Sequence, residues 1–371
     1  MKKIVSSIVF ILATVLMWFL PDSGNHVAIE GNTVRGTVVN IDNSQLTVLG
    51  LLEYGTQALE VELSDGMRYR AMNELRAQME LDKKFNVGDR VLLVLPMGIK
   101  DISSLPKDAI LIARDFWRID MIAITFLAFA LLLCVFGGWT GAKALFSFVF
   151  SALAIWKILI PLSLSGYSAS IVSFFTVSVL TFVIMYLVGG PTRKAASAFL
   201  GAMSGVVASL VITYMVAHLI NVDGKSMAYA LTLKYGGYSF LDLRDIFVGA
   251  VILASSGAVM DLAMDIASGV EEVKLHNPSL SFKELTFSGI RIGRAVVGTM
   301  TTTLLLAYSG GYLTLLMSFA AHGTHPVDFV NSALVASEIA KTLAGSFGLV
   351  LVAPFTAVVA GWMFSRGEKL D

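Results

Sequence analysis

The sequence predicts a polytopic α-helical membrane protein of about eight spans, with a small extracytoplasmic β-barrel-like domain of OB or SH3-like type after the first helix. Of its 371 residues, 56% are hydrophobic and 15% are charged, whereas soluble domains carry about 25% charged residues. Nearly half of the charged side chains lie within residues 21–118, and no Asp or Glu occurs from Met121 to Ile220. A polar domain is therefore followed by a membrane domain, which we place at residues 116–366.

The first 20 residues are predicted to form an N-terminal membrane anchor. Two lysines precede an apolar stretch of about 17 residues, which is at the upper limit for the core of a secretory signal peptide. The residues that follow Val15 are bulky rather than small, so we recognise no signal-peptidase site. A cleaved signal peptide remains the alternative to a retained helix.

Residues 21–115 are predicted to form the β-rich domain. In Ala58–Leu63 the apolar side chains of Leu59, Val61 and Leu63 alternate with glutamates, as expected for a strand with one buried face. Similar patterns and turn dipeptides predict four further strands and one short helix. Three strands are expected at 33–41, 45–49 and 67–72, and the last one follows a Gly-Asp turn within 85–95. The helix is expected at 74–81.

Seven further spans are predicted after this domain, each long enough for a hydrocarbon core of about 30 Å. With the N-terminal anchor they make eight. The seven spans are expected at 119–136, 142–160, 169–188, 196–220, 245–267, 294–317 and 345–365.

The positions of Lys and Arg predict the orientation of these spans. If the N-terminus is cytoplasmic, the loops at 161–168 and 318–331 face outward, and neither contains Lys or Arg. The opposite side collects most of the basic residues of the membrane domain. We therefore expect a multi-pass protein with both termini in the cytoplasm and residues 21–115 outside.

Two segments fit no simple span. Residues 281–293 form a weak amphipathic pattern, which predicts a helix at the cytoplasmic interface. Residues 327–343 are apolar but contain Glu338 and Lys341, and the glycines at 345 and 348 follow. Either a re-entrant half-helix broken at those glycines or an amphipathic helix on the outer surface explains this second segment.

The span at 245–267 contains two carboxylates, Asp261 and Asp265, which share one helix face because they lie four residues apart. A charge at the bilayer centre is costly unless it is paired or faces water. Arg294 opens the next span from the same side and is the expected partner. One interpretation is a structural Asp–Arg ion pair. The other is cation coordination or proton relay by Asp261, with hydroxyl oxygens from Ser255, Ser256, Thr301 and Thr302.

Other kinds of site have weaker support. His322, His325 and Asp328 could supply metal ligands, but Pro326 interrupts any helix that would align them, so a plain polar turn is favoured and no metal site is predicted. No cofactor or nucleic-acid partner is expected, because the net charge is zero and no nucleotide or zinc motif is present. The chain also lacks recognisable protease motifs, and we predict that it is not an enzyme.

Three stretches resemble the YibE/F family of bacterial multi-spanning membrane proteins. They are "SSGAVMDLAMDIAS" (255–268), "GRAVVGTMTTTLLLAYSGG" (293–311) and "SEIAKTLAGSFGLVLVAPFTA" (337–357). The resemblance implies a bacterial cytoplasmic-membrane protein. It implies little about activity, because members are described only as membrane proteins or as candidate permeases, with no assigned substrate or catalytic residue.

These observations favour a transporter or permease-like module for a small solute or ion. Its site would lie between the spans at 245–267 and 294–317 and the segment 338–348, with Asp261 as the charged group, Arg294 as its counter-ion and Glu338 nearby. The alternative is an envelope scaffold or sensor whose outward β-domain binds a ligand or partner protein. The expected partners are the lipid bilayer, a small solute or ion, and a partner membrane protein or a second copy of the chain.

Overall fold

The computed structural model describes Thr14, Phe19 and residues 32–79, 81–99 and 101–366. Apart from Thr14 and Phe19, the predicted N-terminal anchor lies outside the described residues. From residue 32 onward, the described chain divides into two compact units near Leu132. The first is built on β-strands and the second on long helices.

The first unit is a closed five-stranded barrel with the strand order β1-β2-β3-β5-β4. Only β3 and β5 are parallel, and the other neighbouring pairs are antiparallel. Closure leaves no unpaired sheet edge, and the prediction of a small β-barrel is confirmed. The strands are β1 (Thr33–Leu49), β2 (Leu52–Leu63), β3 (Arg68–Arg76), β4 (Arg90–Val94) and β5 (Ile110–Phe116).

The barrel core follows from alternation along the strands. In β2, Leu59, Val61 and Leu63 are all buried, as their spacing predicts, whereas Glu62 is exposed. In β3, buried and exposed residues alternate along the whole strand. Alternate side chains point to opposite faces of a strand, so one face of each strand fills the barrel interior.

Three details of the predicted barrel are wrong. The expected strands at 33–41 and 45–49 form one strand, β1, with register shifts where two strands were expected. The expected helix at 74–81 is absent, because β3 continues to Arg76 and buries Leu75 in the barrel. The strand expected within 85–95 is present as β4, but it is not the last one, because β5 follows it and closes the barrel between β3 and β4.

The second unit contains most of the helices. Six helical segments of the described chain are long and apolar enough to cross a membrane, where about eight spans are expected. One expected span lies outside the described residues, and two others are merged into Ile119–Leu164. The helices are α1 (Ile119–Ala154), α2 (Ile160–Leu164), α3 (Ala169–Gly189), α4 (Arg193–Leu219), α5 (Ala230–Tyr235), α6 (Leu243–His276), α7 (Phe282–Gly311), α8 (Leu313–Ala321), α9 (Pro326–Asn331) and α10 (Ala333–Ser365).

The merged segment is interrupted at Gly138. This residue has φ +53° and ψ −131°, which is outside helical geometry. A Cβ atom added to Gly141 would lie 2.0 Å from the carbonyl oxygen of Leu133. Eight residues of straight helix would span about 12 Å, so the chain changes direction sharply at this glycine. The break falls between the two spans expected at 119–136 and 142–160.

Helix α6 forms the centre of the second unit and packs against α3, α4, α7 and α10. Small residues allow the close approach of these helices. A Cβ atom on Gly205 of α4 would lie 2.8 Å from Val352 of α10, and one on Gly289 of α7 would lie 2.8 Å from Ala357 of α10. Such small-residue contacts are typical of helices that pack in membranes.

Helix α10 is continuous from Ala333 to Ser365, so the predicted break at the glycines is wrong. Both Gly345 and Gly348 are buried, and each lies where another helix approaches closely. The chain instead breaks at Ser332, which has extended geometry and caps α10 by accepting from the backbone N–H of Val335. Tertiary contact, rather than a break in the helix, therefore explains the two glycines.

Helix α7 includes the segment expected as a separate interfacial helix. Ser281 and Glu284 form a capping box that starts the helix, which then runs without interruption to Gly311. Leu285, Gly289 and Gly293 are buried against the neighbouring helices. The amphipathic pattern of 281–293 thus marks the first turns of a long helix and not an independent element.

Candidate functional site

The three segments that the sequence analysis groups together meet at Gly345 of α10. A Cβ atom on this glycine would lie 3.2 Å from the Cβ atom of Ser255 of α6. It would lie 3.4 Å from Leu304 and 3.6 Å from the hydroxyl oxygen of Tyr308, both on α7. The absence of a side chain at Gly345 lets the three helices converge.

An ion pair lies on α10 about one to two turns from this contact. The Nζ atom of Lys341 lies 2.9 Å and 3.0 Å from the two carboxylate oxygens of Glu338. Both side chains are mostly buried, with 17% of Glu338 and 16% of Lys341 exposed. Lys341 also donates to the hydroxyl of Tyr312 at 3.3 Å, and its ammonium faces the rings of Tyr308 and Tyr312.

The hydroxyl of Tyr308 is buried and has no hydrogen-bond partner among the described residues. Most buried polar atoms are hydrogen-bonded, so an unpartnered hydroxyl marks a place where a water molecule or a ligand group can bind. This hydroxyl lies beside Gly345, within the group of residues that surrounds Lys341.

One cavity adjoins the ion pair, and a second cavity lies next to the first. The smaller one has a volume of about 160 Å³ and lies between α7, α8 and α10. The larger one, of about 950 Å³, lies between the 220–226 segment, α9 and the start of α10, and Ile339 contributes to both. The polar residues of the smaller cavity are Tyr308, Ser309, Tyr312, Glu338 and Thr342; those of the larger are Asn221, Asp223, Ser226 and Asn331.

The pairing explains how a long apolar helix tolerates these charges. A single Lys at the centre of a membrane helix costs about 2.5–3.5 kcal/mol on insertion scales. Residues three apart face the same side of a helix, so Glu338 can neutralise Lys341 without distorting the backbone. Glu338 is a site candidate from the sequence, whereas Lys341, Tyr308 and Tyr312 are not. The three-residue spacing of Glu and Lys within an apolar run could have predicted this ion pair.

The other predicted carboxylates are placed differently. Asp261 and Asp265 lie on the face of α6 that points away from the neighbouring helices, and both are exposed. In the described part of the chain, neither carboxylate forms an ion pair or hydrogen bond, and the same holds for Arg294. The structural Asp–Arg ion pair is therefore not formed within this chain.

The orientation of α7 explains why this pair is not made. Gly293 faces the helix bundle, and a Cβ atom there would lie 3.1 Å from Ile266 of α6. Successive side chains on an α-helix are rotated by about 100°, so Arg294 points away from the surface that contacts α6. The sequence placed both residues near the same end of their spans but did not establish how far each helix is rotated about its axis.

The four predicted hydroxyl ligands all donate to their own helices. Ser255, Ser256, Thr301 and Thr302 contact backbone carbonyls three or four residues earlier, at distances from 2.8 to 3.1 Å. This local bonding uses the hydroxyl proton but leaves oxygen lone pairs free. Of the four, Ser255 lies at the Gly345 contact.

The weak metal candidates are not assembled into a site. The Nδ1 atom of His322 lies 2.6 Å from the carbonyl oxygen of Ser318, and His325 caps the start of α9. Asp328 is exposed in the first turn of that helix. Over residues 32–366, without 80 and 100, no group of three or more His, Cys, Asp or Glu side chains has metal-binding geometry.

A buried carboxylate that the sequence analysis missed is Asp245, in the first turn of α6. It accepts from the hydroxyl of Ser168 at 2.9 Å, from the backbone N–H of Ser170 at 3.2 Å, and from the hydroxyls of Ser170 and Tyr214. These donors belong to α3, its N-cap and α4. Asp245 therefore connects three helices. Its position at the edge of a predicted span gave no signal of this role.

Comparison with known protein families gives a match over most of the helical part of the chain. The sequence pattern of the YibE/F-like protein family matches residues 125–366. The chain belongs to this family. The resemblance found in the sequence is thereby confirmed. No curated protein and no solved structure matches the chain.

Within the YibE/F-like region, the Glu338–Lys341 pair is the arrangement best suited to binding a small polar group. It offers an acceptor, a cation and two aromatic hydroxyls beside a cavity. The barrel precedes the matched region. Asp261 and Arg294 lie within the matched region, but their side chains are exposed on the surface of the helix bundle. Membership and the span-like helices together support an integral membrane protein.

Proposed function

We propose that this YibE/F-like protein is a transporter or permease-like module for a small solute or ion, and that its binding site is the group of Glu338, Lys341, Tyr308 and Tyr312. The observation that carries the proposal is the mostly buried ion pair beside a cavity between α7 and α10. Ionisable residues within membrane helices are rare and generally mark substrate or ion pathways.

The two adjoining cavities support a route to this group. Ile339 lines both cavities, so the larger one lies next to the cavity that Glu338 lines. By the distribution of basic residues, this end of the helices is the outward one. A liquid water molecule occupies about 30 Å³. The smaller cavity, of about 160 Å³, therefore suits a small solute or a partly hydrated ion.

The chemistry of the pair suggests how binding would proceed. The charges of Glu338 and Lys341 neutralise each other, which lowers the electrostatic cost of placing them in the helix. A solute with a cationic or anionic group would replace one half of this pair. The free hydroxyl of Tyr308 would then bind the solute's polar atoms. Such exchange permits binding that is weak enough for release.

The test is solute accumulation in cells with and without the protein, screened across ions and small metabolites. We expect Glu338→Gln and Lys341→Met each to reduce uptake or efflux at least tenfold, or about 1.4 kcal/mol, at normal protein abundance. The double exchange Glu338→Lys with Lys341→Glu keeps an ion pair but reverses the site, so it should preserve abundance and still lose transport.

The control is the Lys194–Glu271 pair, which joins α4 and α6 at 3.2 Å and is also partly buried, although more exposed than the Glu338–Lys341 pair. Lys194→Met with Glu271→Gln should leave transport intact, because this pair does not line either cavity. No accumulation difference for any solute, or normal transport by the exchanged variant, would contradict the proposal.

A second candidate function is a sensor or scaffold whose barrel binds a ligand or envelope partner. It is favoured by an open groove of about 830 Å³ on the barrel, lined by strands β1, β2, β3 and β5 and by the segment before β5. Arg68, Arg70 and Lys107 contribute positive charge to it, and Asp42, Glu60 and Asp108 negative charge.

Deletion of residues 32–116 distinguishes the two functions. The deletion must extend through Phe116, because a shorter one ending at 110 would leave β5 without its neighbours. A transporter should keep its core activity after this deletion. A sensor should lose its function while the helical region remains abundant in the membrane.

A further inference from the structure

One face of α6 is not covered by any described part of this chain. It contains Gly257, Asp261 and Asp265, which repeat every four residues and are all exposed. A Cβ atom added to Gly257 would meet nothing within 4 Å. This face is unusual because the other faces of α6 supply many of the buried residues of the helical unit.

The neighbouring helix α7 exposes the opposite charge at a matching depth. Arg291 and Arg294 are both exposed and flank Gly293, which packs against Ile266. Because Ile266 follows Asp265 directly, the arginines and this aspartate lie at nearly the same level along the helices. Gly298 and Thr302, one and two turns beyond Arg294, are also exposed.

The arginines are not neutralised by the nearest acid. Glu284 lines a surface groove together with Arg291 and Arg294. Its carboxylate, however, accepts from the backbone N–H and hydroxyl of Ser281 at 2.8 Å and 2.7 Å as part of the helix cap. In the described chain, neither arginine has an ion-pair partner. The two neighbouring helices therefore expose unpaired charges of opposite sign at one level.

We propose that a second copy of this chain covers this face, with Asp261 and Asp265 of each copy opposite the partner's Arg291 and the partner's Arg294. Hydrocarbon tails solvate neither charge, so lipid is an unsuitable neighbour for the face. A patch with both charge signs at one depth is self-complementary under a two-fold axis along the membrane normal, which preserves depth. The small residues Gly257 and Gly298 permit close approach of helices.

Charge reversal tests this proposal in the full-length protein, with two differently tagged copies expressed together. One copy carries Asp261→Arg and Asp265→Arg, and the other carries Arg291→Asp and Arg294→Asp. Each variant should fail to pair with itself, because both contacts become repulsive. The two variants together should co-purify as a dimer, because both contacts are complementary again.

Asp328→Arg is the matched control, since Asp328 is exposed on α9 and outside this face. It should leave self-association unchanged. The proposal would be overturned if wild-type protein is a single copy in bilayers, if it pairs only with a different protein, or if the two reversed variants fail to pair although each is present in the membrane.

Cysteine cross-linking gives a second measurement that does not require charges to be buried in unfavourable positions. Cys134 is the only native cysteine and is replaced by Ser. Copies with Asp265→Cys and copies with Arg294→Cys should become disulfide-linked by a mild oxidant when they are expressed together. Pairing Asp265→Cys with Gly310→Cys should give no cross-link, because Gly310 lies about 24 Å further along α7.

One result of the cysteine experiment would contradict the proposed dimer. If Asp265→Cys reacts freely with a water-soluble thiol reagent in membranes and never cross-links, the face borders water and not a second copy.

Discussion

Four acidic residues on span-like helices occupy three kinds of environment. Glu338 is neutralised by Lys341 on its own helix, and Asp245 is surrounded by hydroxyl and N–H donors from neighbouring helices. Asp261 and Asp265 are exposed on the surface of the helix bundle and have no ion-pair partner among the described residues. All four are carboxylates in apolar segments of the sequence. Their surroundings predict a binding role for Glu338, a structural role for Asp245 and an interface role for Asp261 and Asp265.

At the residue scale, Asp245→Asn should destabilise the protein without acting on the solute site. The amide removes the charge that strengthens all four hydrogen bonds, and any hydroxyl facing the new NH2 group must reverse its direction and accept. Hydrogen bonds to a buried charged group contribute about 1.5–3 kcal/mol each. We expect a loss of about 2–4 kcal/mol, measured as a lower thermal midpoint of the purified protein.

Asp328→Asn supplies the comparison for Asp245→Asn, because Asp328 is exposed and the change should alter stability by less than about 0.5 kcal/mol. If Asp245→Asn retains full stability but abolishes transport, Asp245 belongs to the transport pathway rather than to the helix connection.

At the element scale, glycines decide where the helices stop and where they touch. Gly138 interrupts α1, whereas Gly345 and Gly348 lie within the continuous helix α10 and accommodate neighbouring helices. The same residue type thus has opposite effects. The difference depends on whether another helix lies against the glycine, which adjacent sequence does not reveal.

Gly138→Ala should therefore disfavour the break in α1. The combination of φ +53° and ψ −131° is rarely adopted by residues with a Cβ atom, and such strain costs about 1–3 kcal/mol. We expect a lower thermal midpoint of the purified protein. Gly137→Ala is the adjacent control: Gly137 has no positive φ and space for a methyl group, so its substitution should be neutral or slightly stabilising. Equal effects of the two changes would show that the turn does not depend on this geometry.

At the scale of the whole molecule, the barrel and the helical unit each have their own hydrophobic core. The barrel has no cysteine, so no disulfide bond stabilises it. Strand β5 is essential to that packing, since Leu111 and Ala113 are buried and β5 pairs with both β3 and β4.

A fragment covering residues 32–118 should fold alone, whereas one covering residues 32–109 should not. The longer fragment is expected to give dispersed amide resonances and a cooperative urea transition. The shorter one lacks the closing strand and exposes two edges, so it should give neither and should aggregate. Cooperative unfolding of the shorter fragment would show that four strands suffice.

The sequence alone determined the two-part organisation, the membrane character and the family of this chain. Charge distribution and apolar runs are local properties, so they can be read from the sequence without knowledge of the fold. Alternation in β2 identified Leu59, Val61 and Leu63 as buried, for the same reason. The motifs at 255–268, 293–311 and 337–357 led to the family that the comparison confirmed.

Only the tertiary structure decided which charges meet. The rotation of each helix about its axis depends on packing between segments far apart in sequence. That packing turns Arg294 away from α6, places Tyr308 and Tyr312 beside Lys341, and gathers three helices around Asp245. A hydropathy pattern indicates that a helix is present and how long it is, but many rotations of that helix are compatible with it. Contacts with neighbouring helices select one rotation, and with it the candidate site.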